Sequence, residues 1–236
     1  MEKDVKVDTL AEAIPDLVRR VEQLLARQLS NPRQRMLVAL AGVPGSGKST
    51  VSHAVVTELA SRGIQDVVVV PMDGFHYTQQ VLSTFQDPTQ AFQRRGAPFT
   101  FDAEGCVKLV ETLKSTPVTK SGETEFTVLA PSFDHALKDP VQDDIRVSSH
   151  TRLVIIEGNY TLLKQSPWDQ IAEHCDERWL VDAPIDVVRQ RLVQRHLAAG
   201  IEPSTESAIR RAEENDIPNG ELIRNQLITP DVIIGN

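Results

Sequence analysis

Apolar residues follow two rhythms along this chain. From Leu10 through Ile14, Leu17, Val18, Val21, Leu24 and Leu25 they recur every three or four positions, which predicts an amphipathic helix. Pro15 suits a first helical turn, and Asn31-Pro32 ends the segment. The apolar stripe serves either a partner or the chain's own sheet, and the sheet is the simpler reading. The rhythm then changes. Met36-Leu37-Val38-Ala39-Leu40-Ala41 is apolar without a break over strand length, the pattern of a strand buried on both faces. Val67-Val68-Val69-Val70, within Asp66 to Met72, repeats it, as do Thr151 to Ile156 and Trp179-Leu180-Val181. Asp231-Val232-Ile233-Ile234 reads as a last strand. Helical spacing returns between them at 48–62 closed by Gly63, at 103–115, at 185–199 closed by Gly200, and near 204–215 and 219–227. Phe126 to Ala130 is a short strand candidate. Residues 74–101 read as irregular, 117–126 as an exposed turn or hairpin, and 131–150 as mostly loop. Alternating strands and helices predict an α/β fold whose central sheet is mainly parallel and covered by helices.

The residues just after the first strand change the picture most. Gly42-Val43-Pro44-Gly45-Ser46-Gly47-Lys48-Ser49-Thr50 is a glycine-rich turn between a buried strand and a helix, with the spacing of a phosphate-binding P-loop. Its glycines let backbone N–H groups converge on phosphate oxygens, and the helix adds the positive end of its dipole. Lys48 is placed to reach the β- and γ-phosphates of ATP, and the Ser49 hydroxyl to hold Mg²⁺. The fold expected is therefore the three-layer P-loop NTPase fold, one domain over 1–236, with residues 1–30 as an N-terminal helix and a short helical lid at about 186–216.

In open α/β sheets ligands bind beyond the carboxyl ends of the strands, and two acidic residues stand there. Asp73, in Pro71-Met72-Asp73-Gly74-Phe75-His76-Tyr77, can accept a proton from an attacking hydroxyl, position Mg²⁺, or merely cap a turn. Glu157 ends Leu153-Val154-Ile155-Ile156-Glu157-Gly158 and can hold Mg²⁺ or pair with a structural arginine. His76 and Tyr77 are candidates for the acceptor pocket wall. Arg189, Arg191 and Arg195 lie on one predicted helix, and Arg191 and Arg195 share a face, as charges for a transferring phosphoryl group or as a solvated surface. Arg94-Arg95-Gly96 and Pro131-Ser132-Phe133-Asp134-His135 occupy the ligand-edge loops, so Arg95, Asp134 and His135 join the candidates for acceptor binding. No strand–nucleophile–helix elbow accompanies Asp134 and His135, so they are not a nucleophilic triad.

Composition narrows the partners. A net charge of −8 over 236 residues argues against a broad nucleic-acid surface. Cys106 and Cys175 lack metal-ligand spacing and form no disulfide framework. The N-terminus is charged without a signal-peptide core, and no apolar run approaches a membrane span. The expectation is a cytoplasmic protein without nucleic-acid or membrane partners; a homodimer stays open.

The ordered set of motifs resembles the phosphoribulokinase/uridine kinase family of P-loop kinases from about Leu37 to Asn236. It comprises the glycine-rich loop, Met72-Asp73-Gly74-Phe75-His76, Arg95-Gly96-Ala97-Pro98-Phe99-Thr100-Phe101-Asp102, Pro131-Ser132-Phe133-Asp134-His135 and Ile156-Glu157-Gly158-Asn159-Tyr160. Asp-Gly-Phe and Arg-x-Gly-x-Pro are similar to bacterial-type pantothenate kinases; the fuller string resembles a uridine kinase-like branch. The resemblance implies a kinase that moves the γ-phosphate of ATP, with Mg²⁺, to a hydroxyl of a small metabolite. In it Asp73 activates the acceptor, Glu157 serves metal or substrate, and Arg191 and Arg195 belong to the lid. Uridine kinases usually carry Ser where this chain has Gly74, and their nucleoside-pocket pattern is not reproduced by Phe133-Asp134-His135-Ala136-Leu137. Nucleoside-, pantothenate- and sugar-like acceptors all stay open, and Arg94 and Arg95 lean towards an anionic one. The alternatives are a P-loop ATPase that is not a kinase and a regulatory nucleotide-binding protein. A regulatory GTPase would need an Asn-Lys-x-Asp motif, which is absent.

Overall fold

The computed structural model describes residues 10–236, with side chains from Glu12 onward. The part of the expected N-terminal helix within residues 1–9, and the side chain of Leu10, lie outside the described residues. Helix α1 (Leu10–Gln28) begins before Pro15, and Ala13, Leu17, Val18, Val21, Leu24 and Leu25 are buried. Its partners are the chain's own: Val38 and Leu40 of β1 (Met36–Gly42) and Val51, Val55 and Leu59 of α2 (Lys48–Ser61). The stripe thus faces the sheet.

Five strands make that sheet, in the order β2-β5-β1-β6-β7, all parallel. They are β1, β2 (Val67–Pro71), β5 (Leu153–Glu157), β6 (Glu177–Asp182) and β7 (Val232–Gly235). Parallel pairing puts every carboxyl end on one edge, so Gly42, Pro71, Glu157, Asp182 and Gly235 lie along a single rim. Leu40 and Pro71 both pair with Glu157, which fixes that carboxylate between the glycine-rich loop and β2. A second apolar layer covers the opposite face. It includes Cys106, Val107, Val110 and Leu113 of α5 (Ala103–Ser115) and Ile171 of α6 (Asp169–His174). Among the described residues no helix is long and apolar enough to cross a membrane.

Besides the earlier start of α1, the structure departs from the sequence-based expectation in three places. Val68 and Val69 are half-buried, because β2 is the last strand of the sheet and has a neighbour on one side only. Residues 131–150 are not loop. β3 (Thr127–Asp134) and β4 (Asp139–Ser148) form an antiparallel hairpin with an irregularity between Ala130 and Ser132 and a left-handed Lys138 (φ 57°) at its tip. Segment 74–101 contains the short helices α3 (Gln79–Leu82) and α4 (Pro88–Gln93). The later helices are α7 (Ile185–Ala198), α8 (Thr205–Arg211) and α9 (Ile217–Asn225), the last two joined by a π-helical turn at Ala212–Asp216.

Gly74 explains one feature of the sequence. A Cβ there would stand 2.1 Å from the carbonyl oxygen of Pro131, so hairpin backbone and the turn after β2 touch where no side chain fits. Gly74→Ala is expected to destabilise the fold by about 1–3 kcal/mol, the scale of overpacking a tight contact. A thermal melt checks this; an unchanged melting temperature would mean the hairpin moves away without cost.

Candidate active site

The glycine-rich loop leaves β1 and turns into α2 through Gly45 (φ 79°) and Gly47 (φ 95°), both in the left-handed region that favours glycine. Lys48 opens α2 and is 8% exposed. Its ammonium donates to the carbonyls of Gly42 (3.1 Å) and Val43 (3.2 Å) and to Asn159 Oδ1 (2.7 Å). Burial pushes the lysine pKa down, while the nearby Glu157 and Asp73 oppose that shift. Glu157 is equally sealed, and burial raises its pKa against the pull of Lys48. The Ser49 hydroxyl donates to Glu157 Oε2 at 3.2 Å. A hydroxyl and a carboxylate side by side at a phosphate loop are hard oxygen donors that fit Mg²⁺, which needs few protein ligands beside phosphates and water.

Asp73 lies in the 3₁₀ turn Met72–Phe75 after β2. Its backbone carbonyl lies 2.8 Å from His76 Nδ1, so that nitrogen carries a hydrogen and donates. The His76 ring packs on Phe101 (3.9 Å between centroids) and Phe133 (4.8 Å), and burial lowers its pKa. Tyr77 packs edge-on to Phe85, and its backbone carbonyl accepts from Arg95 Nη2 at 3.0 Å.

The other candidates divide. Arg95 is committed to Asp139 (2.9 Å), to the Tyr77 carbonyl and to the Lys138 carbonyl, and so fastens the hairpin to the sheet edge. Asp134 Oδ1 accepts from the N–H groups of Ala136 (2.7 Å) and Leu137 (2.9 Å), closing the hairpin turn. His135 packs against Phe133. Arg191 Nη1 reaches the carbonyls of Ser46 and Asn236, each at 3.4 Å. The Arg195 side chain is 52% exposed and 3.6 Å from Asp216, yet its charge is felt at Lys48. Arg189 turns to Asp186 and Glu213 on the outer face.

Four residues here are not among the candidates that the sequence singles out for chemistry. Asn159 holds Lys48, and Asn236 Nδ2 donates to the Ser46 carbonyl at 2.7 Å. Asp216 takes both Arg195 and His196 Nε2 (2.8 Å), and the Tyr160 hydroxyl donates to the Gly96 carbonyl at 2.6 Å. For Asn159 and Tyr160 the one hint is adjacency to Glu157-Gly158. For Asn236 and Asp216 no local pattern exists, since distant parts of the chain create their contacts. Beside Asn236, an open pocket of about 370 Å³ is lined by Asp182, Ala183, Pro184, Ile185, Arg224, Ile233 and Gly235.

The sequence pattern of the Phosphoribulokinase / Uridine kinase family matches residues 37–234. C227.14 of Schizosaccharomyces pombe, provisionally named a uridine kinase, is 39% identical over 93% of this chain and 88% of its own. The ATP-dependent kinase YFH7 of Zygosaccharomyces rouxii is 33% identical over 90% of this chain but only 60% of its own length. Among solved structures, a provisionally named fructose transport system kinase from Silicibacter sp. TM1040 superposes with a TM-score of 0.75. It has 33% identity, with 96% of this chain and 98% of that chain covered.

Proposed function

This chain belongs to the phosphoribulokinase/uridine kinase family, and from that premise we propose that it transfers the γ-phosphate of ATP to a hydroxyl group of a small metabolite. The observation that carries the reading is the convergence of Lys48, Glu157 and Asp73. The two carboxylates both act on the Lys48 ammonium, at the rim where three strand ends meet. Phosphoryl transfer asks for that arrangement: a cation for the transferring group, an oxygen ligand set beside it and a base for the nucleophile.

In this reading the loop N–H groups and Lys48 cradle the phosphates, the ammonium exchanging its backbone carbonyls for phosphate oxygens. Ser49 and Glu157 hold Mg²⁺, which when bound neutralises charge on the phosphate oxygens. The nucleotide base occupies the pocket between Pro184 and Gly235. Asp73 takes the acceptor's proton while the acceptor sits against His76 and the hairpin. Positioning and charge supply most of the rate. The helical segment at about 186–216 acts as the lid, with the π-helical turn at its end as the place where its register adjusts.

Two experiments test this. Purified protein with ATP and a metabolite library yields a phosphorylated product identified by its mass; ATP hydrolysis without any such product rejects the kinase. Arg191→Ala and Arg195→Ala are each expected to lower kcat by roughly 10²-fold while raising the KM for ATP far less, because their charge is needed mainly in the transition state. Wild-type kcat in both would leave them as ordinary surface arginines.

A further inference from the structure

The paired arginines of the Arg94-Arg95-Gly96 segment do different work. Arg95 has a carboxylate, Asp139, at 2.9 Å. Arg94 has none. Its Nε donates to Asn215 Oδ1 (3.0 Å) and its Nη2 to Asn219 Oδ1 (3.1 Å), and no other partner among the described residues meets it. Both amides are buried, at 3% and 2% exposure. Their orientation is fixed as well: Asn215 Nδ2 donates to the Arg95 carbonyl (2.9 Å) and Asn219 Nδ2 to Asn215 Oδ1 (3.4 Å). The guanidinium is therefore aimed but not neutralised.

This is unusual within the molecule. Half-buried Arg20, Arg95, Arg152, Arg178, Arg189, Arg211 and Arg224 each have a carboxylate in ion-pair range. Among the described half-buried arginines only Arg94 and Arg191 do not. Arg191 lies on the phosphate loop, where a nucleotide brings the negative charge. Arg35, wholly buried, also lacks a carboxylate, but spends Nε, Nη1 and Nη2 on the Thr151, Leu113 and Ser148 carbonyls and the Thr116 hydroxyl. Arg94 uses one edge only. Among the described residues its Nη1 has no partner, and it is not sealed from solvent.

Its surroundings put it on the acceptor side. Gly96, two residues on, receives the Tyr160 hydroxyl, and Tyr160 comes three positions after Glu157. Arg94, Asp216 and Asp73 all act electrostatically on that hydroxyl. Keeping a guanidinium out of bulk water without a counterion costs free energy, and a ligand that brings the counterion recovers it. The fork of a guanidinium suits carboxylate and phosphate.

Building on the kinase reading, we infer that the acceptor carries an anionic group, a carboxylate or a phosphate monoester, and that Arg94 seats it while Asp73 faces the hydroxyl. Arg94 is then a specificity-determining residue, and neutral alcohols are poor acceptors.

The test has two arms. In the first, ATP and the protein are offered three separate pools: hydroxycarboxylic acids, sugar phosphates and uncharged polyols with nucleosides. Product masses tell which pool is phosphorylated. Arg94→Gln is expected to raise the KM for the acceptor at least tenfold with the KM for ATP unchanged. Arg94→Lys should recover part of the loss. Asn219→Asp places a carboxylate beside Arg94 and is expected to weaken the acceptor similarly, with KM measured below the variant's own melting temperature; a purely structural Arg94 predicts no change in acceptor KM there. In the second arm, the side-chain Nε resonance of Arg94, assigned with the lysine variant, is followed in the enzyme saturated with a non-hydrolysable ATP analogue. Millimolar inorganic phosphate should shift it and glycerol should not. A product only from the neutral pool overturns the inference, whatever the resonance does, and reduces phosphate binding to an adventitious ion only. An anionic product with unaltered kinetics in Arg94→Gln and Asn219→Asp overturns it too, as does an unmoved resonance. No product from any pool together with a phosphate-shifted resonance rejects the kinase reading and leaves Arg94 as an anion site.

Discussion

Lys48→Ala is expected to reduce phosphate transfer by roughly 10³-fold or more, the upper range for losing one preorganised charge from a transition state. The side chain is buried at the loop, and its ammonium holds the ends of β1 and β5 together through Gly42, Val43 and Asn159. The substitution also strips Glu157 of the cation that offsets its burial. Burial already raises the pKa of that carboxyl, so losing the lysine raises it further and shifts the group towards its neutral form, a poorer ligand for Mg²⁺. Lys48→Met keeps the apolar stem and separates charge from packing. Transfer of labelled phosphate, with circular dichroism on the same samples, checks the result. A folded alanine variant with wild-type turnover would show that the loop is not the working nucleotide site.

Asp73→Asn carries the second large effect. The amide keeps the size and most hydrogen bonds but cannot accept the acceptor's proton, so phosphorylation should fall by ~10²-fold or more, the usual scale of general-base catalysis. Nucleotide affinity should change little, since Asp73 follows β2 and leaves intact the loop after β1 and Lys48, which are proposed to hold the phosphates. Measuring acceptor phosphorylation and nucleotide binding on one preparation separates the roles. Parallel loss of both assigns Asp73 to the metal or to the fold. Unchanged phosphorylation removes it from the chemistry.

Much of this arrangement is legible in the sequence because its signals are local. Unbroken apolar runs mark β1 and β5, the glycine spacing marks the loop, and Asp102 caps α5 through the Gly105 N–H where the helical pattern begins at 103. The β3–β4 hairpin escapes such a reading for a physical reason. Pro131, Pro140 and the run Asp143-Asp144 look like loop, yet these positions are tolerated in a two-stranded ribbon lying outside the main sheet, with solvent beside it. Candidate site residues split the same way. Lys48 and Ser49 announce themselves by the glycine-rich loop before them, and Asp73 and Glu157 by position at strand ends. Arg94 and Arg95 look alike in sequence, and only the approach of Asp139 to one and of Asn215 and Asn219 to the other tells them apart.

The strand order has a consequence for biosynthesis. β1 lies between β5 and β6, so a nascent chain that has just delivered residues 36–61 owns the loop sequence without its surroundings. The backbone of β1 is still unpaired, and Asn159 and Glu157, which position Lys48 and Ser49, have not yet been made. Non-local parallel pairing of this kind forms late and slowly. On the proposed function, ATP is therefore not an early folding template for this chain: it would capture the finished sheet, and by mass action stabilise only molecules in which 153–182 have already closed around the first strand.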